Sequence, residues 1–276
     1  MVTSTTTYSG VLPLVANPPI YKKGIDVSKW QGKMDWGKAA GAGVQFAAVR
    51  CTVGDYYVDP RFEENWAGAK EVGIPVTAYH VVAPADGGRR ITGKKQMEYF
   101  ADKMEGKFPD YPLILDCELA KGQDARWITS VIEKCVEEIP IAFDTNPFIY
   151  TAKYWWNANV WESSMWKECP LWVANYTSFD EPQMPRDWLE YYAGSWNQKW
   201  TVWQWSADGN GMGHQHGAQS HAIDLDRWNP NVPFLFGDNN EPPLPPVPPP
   251  NNNMTVQMQA LFGDDVYIGE AVLEKE

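Results

Sequence analysis

Apolar residues arrive along this chain in short runs of strand length, and several of the stretches between them repeat apolar positions at helical spacing. The runs are KGIDVSKW (23–30), QFAAVRCTV (45–53), PVTAYHVV (75–82), PLILDCEL (112–119), PFIYTA (147–152), PLWVANYT (170–177), WTVWQWS (200–206) and HAIDLDRW (221–228), and they are rich in β-branched and aromatic residues. In DPRFEENWAGAKEVG, Asp59 is placed to cap a helix, Pro60 to open its first turn, Glu63 and Glu64 to favour its positive end, and Gly73 to stop it. DARWITSVIEKCVEEI sets Trp127, Ile128, Val131, Ile132, Cys135 and Val136 on one helical face, and KKQMEYFADKME repeats the pattern less strongly. Five connections are long enough for a covering helix, whereas the chain from the sixth run onward is richer in Gly, Pro and polar residues. The expected class is α/β, a barrel with uneven helical cover, in which strand eight closes beside strand one.

After DRWNPNVPFLFG the composition changes to DNNEPPLPPVPPPNNN, too rich in proline and asparagine to pack. The expected organisation is an N-terminal extension (1–21), the barrel (22–237), an extended linker (238–253) and a C-terminal segment (254–276) too short for its own core. Three readings of that last segment stay open: disorder, a docking segment, or a strand pair that orders only on association.

With 276 residues, 44% of them hydrophobic, the chain can bury a large core. Its net charge of −12, with Lys and Arg scattered, argues against a nucleic-acid footprint. No apolar run approaches the roughly 20 residues of a membrane span, and MVTSTTTYSGVLPLVANPP lacks the basic opening and long apolar stretch of a signal peptide, so cytosolic synthesis is expected. Cys51, Cys117, Cys135 and Cys169 have no metal-ligand spacing and read as plain thiols. His214, His216 and His221 share a polar loop without an acidic or cysteine partner at clear spacing, so no metal and no cofactor is expected. His80 reads as a hydrogen-bonded residue at a strand end.

The chemistry concentrates in PLILDCELA. Asp116 and Glu118 stand two apart in a run that otherwise reads as a buried strand, where an ionised group is costly. Two residues along a strand point to the same side, roughly 6.5–7 Å apart, and in a barrel that side opens at the mouth. An isolated D-x-E is common by chance, but Asp26 in the first run and Asp224 and Asp226 in the eighth repeat the geometry. Crowded carboxyls let one hold a proton while a neighbour stays ionised, as glycoside hydrolysis requires. Tyr79, Tyr150, Trp172, Tyr176, Trp203 and Trp205 also fall in the runs, and flat rings among them suit sugar faces.

GIDVSKWQGKMDW, YYVDPRFEENWAGAKEVGIPVTAYH, PLILDCE, FIYTAKYWW, LWVANY, VWQWS and AIDLDRW, in this order over residues 22 to 229, resemble the landmarks of glycoside hydrolase family 25, the Chalaropsis-type muramidases. The resemblance implies an irregular TIM-like barrel of eight strands and five helices, (β/α)5(β)3, and cleavage of the β-1,4 bond between N-acetylmuramic acid and N-acetylglucosamine in bacterial peptidoglycan. It also implies a phage endolysin that is made in the host cytoplasm and acts on the cell wall. Glu118 matches the family's general acid and Asp116 the carboxylate assisting the second step. Asp26 and Asp224 match further cleft acids; Tyr79, Tyr150, Asn175, Tyr176 and Gln204 match positions near the sugar, to which Trp203 and Arg50 are added. Arg50 stands where Lys is common, Val53 where an acid is frequent, and Asp226 where Asn is more typical. Two rivals remain at this point: a barrel that binds walls without turnover, and a chitinase-like hydrolase.

Overall fold

In the computed structural model, which describes residues 21–176, 200–232, 254–262 and 265–273, each of the eight runs contains a barrel strand. They are β1 (Lys22–Val27), β2 (Phe46–Val53), β3 (Val76–Val81), β4 (Ile114–Asp116), β5 (Phe148–Ala152), β6 (Leu171–Ala174), β7 (Val202–Ser206) and β8 (Asp224–Trp228). Strands β1 to β7 run parallel where they pair, β8 lies antiparallel between β7 and β1, and the β1–β2 pairing closes the barrel. Five α-helices occur among the described residues: α1 (Trp36–Gly41), α2 (Phe62–Glu71), α3 (Gly93–Lys103), α4 (Ala125–Phe143) and α5 (Lys153–Asn159). All five follow one of the first five strands, which gives the expected (β/α)5(β)3 pattern.

Alternation along the strands separates two apolar layers. Inside the barrel, Phe46, Tyr111, Phe148, Trp172 and Trp228 meet edge to face, with Phe46 and Trp228 centroids 5.6 Å apart. Gly24 is required beneath this plug, because a Cβ there would stand 2.2 Å from the Phe46 ring. Outside the barrel, Val49, Cys51, Leu115, Cys117, Ile149 and Val173 pack under the helices, and α4 contributes Ile128, Val131, Ile132, Cys135 and Val136 as its spacing predicts. Helix α4 continues one turn past Pro140 and ends at Asp144 in the left-handed region. All four cysteines are buried thiols.

Three local expectations change. The first run leaves β-structure at Ser28, whose hydroxyl and Gln31 form a reciprocal capping box around a 3-10 turn, Lys29–Gln31. The fourth strand ends at Asp116, so Glu118 lies beyond it. Asp59 is not the N-cap of α2, a position that Arg61 occupies without a side-chain bond; its carboxylate accepts the Arg61 backbone N–H through Oδ1 and the Arg50 guanidinium through Oδ2.

The chain divides into two compact units at Gly237/Asp238. In the second, Met254–Phe262 and Asp265–Leu273 pair as an antiparallel hairpin over nine residues each. The expected N-terminal extension up to residue 20 and the linker 238–253 lie outside the described residues. Among the described residues no helix is long and apolar enough to cross a membrane.

Candidate active site

The site grows from the way each strand stops. At the end of β4, the Cys117 N–H bonds the Tyr150 carbonyl (2.9 Å), and the Cys117 carbonyl accepts from the Thr151 hydroxyl (2.8 Å). These two bonds pin the backbone while the Cys117 thiol enters the outer core, so Glu118 emerges at the mouth and is solvent-exposed. Asp116, one step inward, is 7% exposed, and its Oδ1 has no hydrogen-bond partner among the described residues. Asp26 comes from the end of β1. Asp224 stands directly opposite it on β8, whose antiparallel course brings its N-terminal end to the same mouth.

These carboxyls surround an open cavity of about 340 Å³, within the usual range for ligand sites. Trp172 forms part of its floor, Tyr79, Tyr150 and Gln204 its walls, and Trp30 and Tyr176 an exposed aromatic rim at 69% and 56% exposure. Gln204 organises the interior: its Nε2 donates to Asp26 Oδ2 at 2.6 Å, while its Oε1 accepts from the Tyr150 (2.8 Å) and Tyr176 (3.0 Å) hydroxyls. Arg50 supplies the positive charge. Its Nε and Nη2 both reach Asp59 Oδ2 at 2.7 Å, and the same carboxylate accepts from the backbone N–H groups of Lys29 and Arg61.

Five acids so close cannot all ionise. Burial, reinforced by Glu118 and Asp26, holds Asp116 well above the ordinary carboxylate range. Partial burial also raises Glu118, with Arg50 pulling against it. Burial together with Asp26 and Glu118 lifts Asp224 to about 9. Asp26 rises only to about 6, because the hydrogen bond from Gln204, with a smaller pull from Arg50, counters its burial. The arrangement therefore offers a protonated carboxyl exposed to a substrate and a second carboxyl that ionises near neutrality, the two charge states acid-catalysed glycoside cleavage uses.

Of the expected residues, the structure brings Asp26, Arg50, Tyr79, Asp116, Glu118, Tyr150, Tyr176, Gln204 and Asp224 to one cavity. Trp203 and Asn175 are not among its lining. Trp203 points to the outer core on the opposite face of β7 from Gln204, and its indole donates to the Asn175 carbonyl at 2.8 Å. Trp205 shares that outward face. His80 is fully buried: Gln96 Oε1 can only accept, so Nε2 carries the proton and Nδ1 accepts from Thr52. Burial depresses its pKa to about 4, which keeps it neutral. His214 and His216 bond the carbonyls of Ala218 and Met212. Trp30 and Gln31 were missed as site residues, although Ser28-x-x-Gln31 is a readable capping signal that turns Trp30 to the rim.

The sequence profile described as Glycosyl hydrolases family 25 matches residues 25–214. Lysozyme M1 of Streptomyces globisporus is 30% identical over 225 residues, covering 78% of this chain and 70% of that protein. N,O-diacetylmuramidase of Chalaropsis sp is 25% identical over 195 residues, 66% of this chain and 86% of the relative. The crystal structure of the bacterial lysozyme from Streptomyces coelicolor superposes with a TM-score of 0.62 at 29% identity, covering 75% of this chain and 92% of the other.

Proposed function

The chain belongs to glycosyl hydrolases family 25, and from that premise we propose how its cleft works as a muramidase. It is a glycoside hydrolase of the lysozyme kind acting on peptidoglycan, and the bond cleaved is the β-1,4 link from N-acetylmuramic acid to N-acetylglucosamine. The observation that carries the assignment of roles is Glu118: it is the exposed carboxyl at the mouth, and its raised pKa keeps a proton available. Glu118 gives that proton to the glycosidic oxygen as the C–O bond breaks, and afterwards its carboxylate takes a proton from the incoming water.

Asp116 lies deeper and is neutral at rest, which suits holding the substrate N-acetyl group better than direct attack on the anomeric carbon. Asp26, ionised above about pH 6, places negative charge beside the oxocarbenium-like transition state. Tyr79, Tyr150, Tyr176 and Trp30 supply rings and hydroxyls for the sugars, and Arg50, fixed by Asp59, limits the repulsion among the acids.

Mass spectrometry of fragments released from purified peptidoglycan tests this reading. Muramic acid at the reducing ends, lost in a folded Glu118→Gln variant, is the expected result; undiminished release by that variant refutes the role of Glu118. The finer reading is a phage lysin, supported by the sequence resemblance alone. Expression inside a bacterium should then cause lysis only after the inner membrane is permeabilised. The hairpin, with its linker, is assigned to wall retention or to pairing with a second copy, so removing residues 238–276 should weaken sedimentation with walls or lower the oligomer mass.

A further inference from the structure

Asp226 is the fifth carboxyl of the site and the one farthest from a substrate. It is 0% exposed and does not line the cavity. In the strand register it stands opposite Gln204 on β7 and opposite Gly24 on β1. Its Oδ1 accepts the Trp172 indole N–H at 3.0 Å, while its buried Oδ2 receives no donor among the described residues. On β1, Asp26 lies two residues beyond Gly24 on the same face, the diagonal neighbour of Asp226 in the ladder. The other ionisable neighbours are Asp224 and Tyr111, and the adjacent cation Arg227 bonds the Asp226 backbone carbonyl and stacks over Trp205 on the outer face. An ionised Asp226 would put an underbonded charge against a second carboxylate. A protonated one satisfies both oxygens, accepting from Trp172 and donating to Asp26.

We propose that Asp226 is a positioning residue that stays a neutral carboxylic acid through the catalytic cycle, donating its O–H to Asp26 and so holding Asp26 ionised beneath the bound sugar. Asp26 then has two donors, Gln204 from β7 and Asp226 from β8. Asp224, directly opposite Asp26, has no such donor among the described residues and rises further, to about 9 against about 6. Burial pushes Asp226 itself well above the carboxylate range, with Asp26 and Asp224 adding to it, in agreement with the geometry. An asparagine fits the same two bonds, with its carbonyl toward Trp172 and its amide N–H toward Asp26; a leucine fits neither.

The kinetic arm of the test rests on the muramidase reading, and the spectroscopic arm does not. Infrared difference spectra of wild type against Asp226→Asn at pH 7 should show one protonated-carboxyl C=O band that the variant lacks; absence of that band means Asp226 is ionised and overturns the proposal. In wall-clearing assays, Asp226→Asn should keep kcat/KM within about threefold across the pH range. Asp226→Leu should lose about fivefold near pH 6, with its acidic limb moved up by about one pH unit as Asp26 loses a donor. If asparagine is as damaging as leucine, or if the leucine limb does not move, Asp226 does not act through Asp26. Should the leucine variant fail to fold, Asp226→Ala replaces it and the infrared arm still decides.

Discussion

Gln204→Leu isolates the charge state of Asp26. The substitution removes the Nε2–H donor that lies 2.6 Å from Asp26 Oδ2 and lowers its pKa. A hydrogen bond to a charged group contributes about 1.5–3 kcal/mol, and one pKa unit corresponds to ~1.4 kcal/mol. Asp26 should therefore move from about 6 to roughly 7–8. At pH 6 the ionised fraction falls from about one half to somewhere between about 10% and 1%. Activity that needs ionised Asp26 drops by about 5- to 50-fold at pH 6, but by no more than about twofold at pH 8 from this cause. The variant also strips the acceptor shared by Tyr150 and Tyr176, which lowers activity at every pH. The ratio of clearance rates at pH 8 and pH 6 removes that common loss, and it should rise at least about fivefold over wild type. A folded variant whose ratio equals that of wild type refutes the role given to Asp26.

The same acids set the stability of the fold. Asp26 has its folded pKa raised from 3.8 to about 6, so folding is unopposed by it below the unfolded value and is increasingly opposed as pH climbs through 4 to 6; Asp224 extends the loss toward 9. The melting temperature should accordingly fall between pH 5 and pH 9, and Asp26→Asn should gain about 1–3 kcal/mol at pH 8 while losing activity; a melting temperature that rises over this range refutes the linkage. Asp59→Ala leaves the half-buried Arg50 without its partner and should cost about 3–5 kcal/mol by denaturant unfolding, against less than about 1 kcal/mol for an exposed pair such as Arg90–Asp124.

Strand positions were legible because a barrel strand is covered on both faces and therefore reads as an unbroken apolar run. The same property hides which way each side chain points. In WTVWQWS, Val202 and Gln204 face the barrel interior and Trp203 and Trp205 the helices, yet nothing in the run marks the difference, and Trp203 is assigned to the cleft by its ring alone. Glu118 shows a milder version: strand parity puts it beside Asp116, but the ladder ends at Asp116, and Glu118 reaches the mouth through the bonds that clamp Cys117. Asp59 looks like a cap because capping is local, whereas its partner Arg50 lies on another element.

The acids were visible individually, but their division of labour was not, since it depends on the number of donors each one meets. Asp26 and Asp224 face each other across one strand pair and are the same residue type, and the donors at Asp26 separate them by about three pKa units. Asp116 has an oxygen without a donor among the described residues, and burial holds it well above the ordinary carboxylate range. Glu118 is open to solvent and feels the charge of Arg50, and it sits where a leaving oxygen can reach it. Composition and spacing bring carboxyls to a barrel mouth, but the amide of Gln204, the indole of Trp172 and the guanidinium of Arg50 decide which of them carries the charge. A substitution among those three should change the pH at which the enzyme works before it changes what the enzyme cleaves.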